Sequence, residues 1–393
     1  MRLESGTPVE AGVSTNDENG LTAAERRAMR DAVALARRGV GGTHPNPRVG
    51  AVLLRDGAVA GRGWHARAGG PHAEVVALRA AGPEARGATL VVTLEPCAHH
   101  GRTPPCVDAI LEAGVRRVVV GMIDPNPIVN GRGIEGLRRA GVDVVIADRD
   151  EECRALNEPY LSVLERGRPW VTLKAMLSLD GRLAADGGAS RGLGGPEEQR
   201  LCHRLRAAHD AVLVGIGTVL ADDPLLTVRH ARGRTPCRVV LDSSLRIPDG
   251  SALLGSAGAA PLVVATVSGD GARARRLEAR GASVWRFEPG PGGRVPLGPL
   301  LGRLVEEGRY ALLVEGGTET HTSFLREGLA DRVALGIAPL LLGGRAARSW
   351  TGDLGRSTIA EAIDVTGLRA RRVGRDLWLE GAIAPPEKER ERV

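Results

Sequence analysis

PHAEVVALRAAGPEARGATLVVTLEPCAHHGRTPPC, residues 71–106, decides the fold of the first half of this 393-residue chain. His72 to Ala81 reads as a helix stopped by Gly82-Pro83, and Thr89 to Thr93 as a β-branched strand. After a loop, Pro105 to Ala113 reads as another helix. Working backwards, Val49 to Leu54 and Ala58 to Trp64 flank Asp56-Gly57, a hairpin signal. Before them, Thr22 and Glu25 form a capping-box pattern that opens an amphipathic helix. Working forwards come a strand at Val118 to Val120, a helix at Ile134 to Ala140, and a strand at Val142 to Ile146. This alternation predicts an α/β sandwich whose later strands are parallel.

The same stretch carries chemistry. Pro71-His72-Ala73-Glu74 opens a helix, Thr93-Leu94-Glu95-Pro96-Cys97 ends a strand, and Pro105-Cys106 opens the next helix. His72, Cys97 and Cys106 supply three Zn²⁺ ligands and leave the fourth position open, as a catalytic site requires. A helix start favours a thiolate through its free N–H groups and dipole. Glu74 is placed to take a proton from the attacking water and return it to departing ammonia. Zinc nucleobase deaminases use this signature, usually with two residues between the cysteines; here there are eight, Ala98 to Pro105. Against this stands a pair of cysteines that merely fills core, with His99 and His100 as rival ligands. Cys153, Cys202 and Cys237 stand alone and read as small buried hydrophobes.

A second alternation begins at Arg168-Pro169-Trp170. Val171 to Leu173, Ala211 to Val214, Val239 to Leu241, Leu262 to Val267 and Tyr310 to Val314 read as buried strands. The expected organisation is a disordered tail (1–20), a first domain (21–148), a charged helical linker (149–168), a different second domain (169–383) and a charged tail (384–393). No run approaches the ~18 apolar residues of a membrane span, and the polar, acidic N-terminus is no secretory signal. Five cysteines, an odd number, argue for a reducing, cytoplasmic setting. Of 53 basic residues only Lys174 and Lys388 are lysines, so arginine is background and Lys174, alone in the folded body, is the informative cation. Its compact, tunable ammonium is something a guanidinium cannot imitate, although chance retention would also leave one.

Thr43-His-Pro-Asn-Pro-Arg-Val-Gly50, Gly63-Trp-His65, Gly69-Gly-Pro-His-Ala-Glu74, Thr93 to Cys106 and Asp124-Pro-Asn-Pro127 resemble the bifunctional riboflavin-biosynthesis deaminase/reductase family. The eight-residue cysteine gap is that family's own spacing. Downstream, Leu173-Lys174, Ser178-Leu-Asp-Gly181, Leu205-Arg206-Ala207, Asp222-Asp-Pro224, Glu315-Gly-Gly317 and Ala338-Pro339 with Leu341-Leu-Gly-Gly344 are similar to its reductase half. The resemblance covers about residues 22–383 and implies a cytidine-deaminase-like α/β/α zinc domain followed by a dihydrofolate-reductase-like α/β domain. It implies two steps on one phosphorylated pyrimidine ribosylamine: hydrolytic loss of the 2-amino group, then NADPH-dependent opening and reduction of the ribose to a ribityl chain. His72, Cys97 and Cys106 would hold zinc, Glu74 would shuttle protons, and Asn46 would contact the pyrimidine, unless Pro45-Asn46-Pro47 is simply a rigid turn.

In the reductase half the resemblance implies that Lys174 acts beside the ribose. Substrate contacts would fall at Ser190, Arg206, Leu225, Arg229 and Glu315, with Arg206 and Arg229 clamping the phosphate. Cofactor contacts would fall at Met176, Gly192, Thr218, Asp222, Ser243 and Gly317. Gly131-Arg-Gly-Ile-Glu-Gly136 fits a dinucleotide fingerprint literally, but a loop separates it from its strand, so it is expected to be a decoy. Glu315-Gly316-Gly317, directly after a strand, is the better nucleotide site. One departure stands out: Gly192 lies where the family carries Trp, and Met176 replaces a smaller residue. A deaminase with a degenerate or redirected reductase is therefore an alternative. A nucleic-acid-binding zinc deaminase is another, but it would need basic stripes interleaved with aromatics, which are 2% of this chain. The expected partners are small molecules and further copies of the chain in a homo-oligomer, with neither nucleic acid nor membrane.

Overall fold

The structure, a computed structural model, describes residues 20–98, 104–147, 150–186, 188 and 192–384. Ser190, His99, His100 and nearly all of the two expected tails lie outside these residues. The chain divides into two units, Met1–Glu158 and Pro159–Val393. The stretch expected to be a linker is two helices, α5 (Asp150–Leu156) in the first unit and α6 (Glu158–Arg166), which runs into the second.

Five strands build the first unit: β1 (Gly50–Arg55), β2 (Ala58–Trp64), β3 (Thr89–Val92), β4 (Arg117–Val120) and β5 (Asp143–Ile146). Their order is β2-β1-β3-β4-β5, antiparallel about β1 and parallel from β3 onward. Asp56 and Gly57 both take positive φ, as a tight hairpin turn requires. Ahead of the sheet, α1 (Ala23–Ala36) starts in a complete Thr22/Glu25 capping box. Three more helices follow, α2 (Ala73–Ala81), α3 (Cys106–Glu112) and α4 (Arg132–Arg139). Successive strand residues face opposite ways, so Ala51, Leu53, Leu90, Val92, Val118 and Val120 bury one face under α2, α3 and α4. This layering delivers the starts of α2 and α3 to the carboxyl end of β3.

The second unit is a nine-stranded sheet. Its strands are β6 (Trp170–Ser178), β7 (Ala211–Gly215), β8 (Cys237–Leu241), β9 (Leu262–Thr266), β10 (Ser283–Arg286), β11 (Ala311–Val314), β12 (Arg332–Ala338), β13 (Val365–Val373) and β14 (Asp376–Ile383). The order is β10-β9-β8-β7-β11-β6-β12-β14-β13, parallel as far as β12 and antiparallel beyond it. Its helices are α7 (Pro196–Ala208), α8 (Ile216–Asp222), α9 (Ala252–Gly255), α10 (Gly271–Glu278), α11 (Leu297–Glu306) and α12 (Thr318–Arg326). The central strands are apolar on both faces, the pattern of a parallel sheet covered on each side.

Candidate functional site

In the first unit, His72 is the N-cap of α2, Cys106 is the first residue of α3, and Cys97 lies in the loop after β3. His72 Nδ1 is 3.1 Å from Cys106 Sγ and 3.6 Å from Cys97 Sγ, and the three donor atoms lie within 4.8 Å of one another. Ligands at zinc bond lengths on tetrahedral corners sit about 3.5–3.8 Å apart, so this nitrogen and two sulfurs fit that metal. The Cys106 backbone N–H donates to Cys97 Sγ (3.4 Å), and hydrogen bonding to Cys106 and His72 holds the Cys97 thiol well below its ordinary range, while Cys97 and burial push Cys106 up. Glu74, in the first turn of α2, is buried, and its Oε2 has no hydrogen-bond partner. Burial pushes its carboxyl up, against the pull of His72. A buried, unpartnered carboxylate oxygen beside three metal donors is an acceptor held for a group that comes with substrate.

Two neighbours carry no role in the sequence reading. His65, buried, uses Nδ1 on the Pro71 carbonyl (3.0 Å), which leaves Nε2 to accept from Asn46 Nδ2 (3.2 Å). The Asn46 amide is thereby fixed in one orientation. Glu95 accepts four backbone N–H groups: Asp124 (3.2 Å), Gly131 (2.9 Å), Gly133 (2.9 Å) and Ile134 (3.3 Å). The glycine-rich start of α4 is thus an anion cradle whose anion is the protein's own Glu95. A Cβ at Gly133 would come 1.9 Å from the Pro96 carbonyl oxygen, so glycine there lets α4 sit on the loop that carries Cys97.

In the second unit, Lys174 stands mid-strand in β6 with its Nζ 3.2 Å from Glu198 Oε1 on α7. Burial opposes its charge, while Cys202, Glu198 and Glu315 together hold the ammonium above its ordinary range; burial in turn pushes the Cys202 thiol up to about 12. Glu315, just past β11, takes a bidentate bond from Arg206 on α7 (2.6 and 2.8 Å) and is held at about 2 despite its burial. Arg206 is expected from sequence to clamp phosphate; its fork instead faces inward onto Glu315, with Nη1 on the Thr227 carbonyl. Arg229 remains outward, donating to Thr227 Oγ1, while its backbone N–H donates to His203 Nδ1. Burial and the neighbouring Arg206 and Arg229 lower His203 to about 4.

The remaining candidates lie around the carboxyl ends of the parallel strands. Gly317 caps α12 after β11, and Thr218 lies in α8 after β7; a Cβ on Gly317 would be 3.9 Å from Thr218 Oγ1, so the structure brings these two together. Asp222 ends α8 and Leu225 follows it, half-exposed, with its carbonyl on Arg238. Ser243 follows β8, two strands from β11, with its hydroxyl on the Val295 N–H. Met176 lies opposite Gly336 in β12. Gly192 has positive φ and open space around it, a conformation that a tryptophan would occupy only under strain.

A three-donor metal centre with a buried glutamate, followed by a parallel-sheet reductase unit, defines a zinc-dependent deaminase joined to an NADPH-dependent reductase. The cytidine and deoxycytidylate deaminase zinc-binding region matches residues 22–122, and the RibD C-terminal domain matches residues 169–379. The chain belongs to the RibD family of riboflavin biosynthesis proteins. It is 42% identical over 354 residues to the riboflavin biosynthesis protein RibD of Aquifex aeolicus, covering 90% of this chain and 97% of that one. It is 40% identical over 366 residues to RibD of Escherichia coli K12, covering 89% and 97%. Among solved structures, Acinetobacter baumannii RibD aligns with a TM-score of 0.82 at 36% identity, over 92% of this chain and 99% of that one. A diaminohydroxyphosphoribosylaminopyrimidine deaminase/5-amino-6-(5-phosphoribosylamino)uracil reductase from Thermotoga maritima aligns with 0.80 at 32% identity, with the same coverage. The chain is therefore an enzyme of riboflavin biosynthesis that deaminates and reduces a pyrimidine. Among the described residues no helix is long and apolar enough to cross a membrane.

Proposed function

We propose that the chain takes the substrate named for its Thermotoga relative, a diaminopyrimidinone ribosylamine 5-phosphate, through both steps. The unpartnered Glu74 oxygen beside the His72–Cys97–Cys106 donors carries this reading. Zinc, when bound by those three residues, supplies Lewis-acid activation of water. Glu74 accepts a proton from that water as its oxygen adds to C2 of the pyrimidine, then delivers a proton to the amino group that leaves as ammonia. Asn46, oriented by His65, presents its free amide oxygen to a pyrimidine N–H.

In the second unit, NADPH held along the edge of Thr218 and Gly317 would supply the hydride that reduces the sugar at C1′. Lys174 donates a hydrogen bond to the sugar oxygen that C1′ releases when the ring opens. Thr218 and Gly317 flank the cofactor, with Met176, Gly192, Asp222 and Ser243 further along that edge. Arg229, with Ser190, takes the phosphate, Leu225 lines the substrate, and Arg206 acts by anchoring Glu315. On this reading the deaminase domain spans residues 21–148 and the reductase domain 169–383, with a helical linker between them. The protein works in the cytoplasm as a homo-oligomer and binds no nucleic acid. The test follows ammonia and NADPH absorbance on one sample with its zinc quantified. One ammonia released and one NADPH oxidised per substrate is expected; ammonia without NADPH oxidation overturns the assignment.

A further inference from the structure

Between the first turn of α7 and β6 lies a buried group of side chains that the two-step reading leaves without a role. Glu198 and Cys202 are one helical turn apart on α7, so they share a face, and Arg206 continues that face a further turn on. The Glu198 side chain is 5% exposed, and its Oε1 takes both the Lys174 ammonium (3.2 Å) and the Cys202 S–H (2.6 Å). Room for it is built into the chain. A Cβ on Gly194 would fall 2.2 Å from Glu198 Oε2 and 2.8 Å from its Cδ, so any larger residue there would push the carboxylate out of its slot. Across the ammonium stands Glu315, itself paired with Arg206, so charges alternate Glu198, Lys174, Glu315, Arg206 through the interior.

We propose that Glu198 is a positioning residue for the reduction step: seated in the slot that Gly194 leaves open and tied to Cys202, it holds the Lys174 ammonium as a fixed hydrogen-bond donor to the sugar. The inference rests on the reading of Lys174 as the residue acting on the ribose. The groups facing Lys174 are Glu198 and Cys202 from α7, Glu315 from the end of β11 and His321 from α12, with Arg206 beyond them on Glu315. Two carboxylates among them make loss of a proton from the Lys174 ammonium unfavourable, so it is not free to act as a base. The residue then serves as a donor, and its service depends on where its ammonium is held. An unanchored four-carbon chain would sample several rotamers and present the sugar with a moving charge.

The experiment measures NADPH oxidation with the deaminated second-step substrate, using the full-length zinc-loaded enzyme, and ammonia release in parallel. Glu198→Gln keeps the shape and removes the charge; it is expected to lower the reductase kcat about 10- to 100-fold with the KM for NADPH unchanged. Its pH–rate profile is expected to gain an alkaline limb, as a lysine released toward its ordinary value of about 10.4 loses its proton. Ammonia release stays at the wild-type rate. Gly194→Ala keeps every charge and only closes the slot, so it reports even if the glutamine variant does not fold; the same loss of kcat is expected. Lys174→Met separates the two readings. A Lys174→Met enzyme that reduces at the native rate overturns the assignment of Lys174 itself. An inactive Lys174→Met enzyme beside Glu198→Gln and Gly194→Ala enzymes with native kcat and pH profile, even if their Tm falls, overturns the positioning role alone.

Discussion

Glu74 is the proton carrier of the proposed first step. Its buried carboxylate is useful only as a proton carrier, so Glu74→Gln should lower ammonia release by about 10²–10⁴-fold. Because that substitution leaves His72, Cys97 and Cys106 untouched, zinc per chain should stay at the wild-type level by metal analysis. Unchanged turnover would remove Glu74 from the mechanism. His72, Cys97 and Cys106 were legible in sequence because few residue types bind zinc and their order along the chain is distinctive. Glu198 was not legible. A glutamate in the first turn of a helix is ordinarily solvated, and only the fold brings it to a lysine 24 positions earlier in the chain. Arg206 illustrates the converse: its type suggested a phosphate clamp, whereas the position of Glu315 turns it inward.

At the scale of elements, the seating of α4 on the Cys97 loop depends on Gly133. Gly133→Ala should cost about 1–3 kcal/mol of stability, because a methyl group must displace backbone at Pro96. Zinc should also bind more weakly, measured by competition with a chromogenic chelator. If zinc affinity and Tm are both unchanged, the seating does not matter. The elements read from sequence were those with local punctuation, such as the Thr22/Glu25 box, the Asp56-Gly57 turn and Gly82-Pro83 after α2, or with a buried apolar run, such as β7, β8, β9 and β11. Missed were β10 and the block β12, β13 and β14. In β13, eight of nine residues are exposed, among them Arg369, Arg371 and Arg372, so no buried apolar face marks it as a strand. The literal G-x-G-x-x-G also resolves at this scale, since its N–H groups already hold Glu95.

For the whole molecule, the separation of sites into two units predicts separable losses. All three metal donors belong to the first unit. A strong chelator should abolish ammonia release yet leave NADPH oxidation on the second-step substrate intact; parallel loss of both would contradict this. Acid should act chiefly on the second unit. His321 is fully buried, and burial lowers it from 6.5 to about 4. Its neutral form therefore stabilises the fold fully above pH 6.5, and this contribution, about 3 kcal/mol, disappears as pH falls from 6.5 towards 4. Glu315, held at about 2, adds a further loss as pH drops below its unfolded value of 4.5. Urea unfolding of the second unit should show that slope, and His321→Asn should reduce it between pH 6.5 and 4, leaving the share of His203, which is also lowered to about 4.

The place of β6 in the sheet also sets the order of events when the chain folds. β6 is flanked by β11 and β12, whose residues come more than 130 positions later, so loop closure precedes any reward from pairing. The first unit, by contrast, pairs β1 with β2 across a two-residue turn and closes within 158 residues. On a ribosome the deaminase can bury its core while the partners of β6 are still unsynthesised. Trp64 alone reports on the first unit, whereas Trp170, Trp285, Trp350 and Trp378 lie in the second. Refolding from urea with zinc present should therefore restore ammonia release early, with NADPH oxidation and most of the tryptophan signal returning together in a later, slower phase.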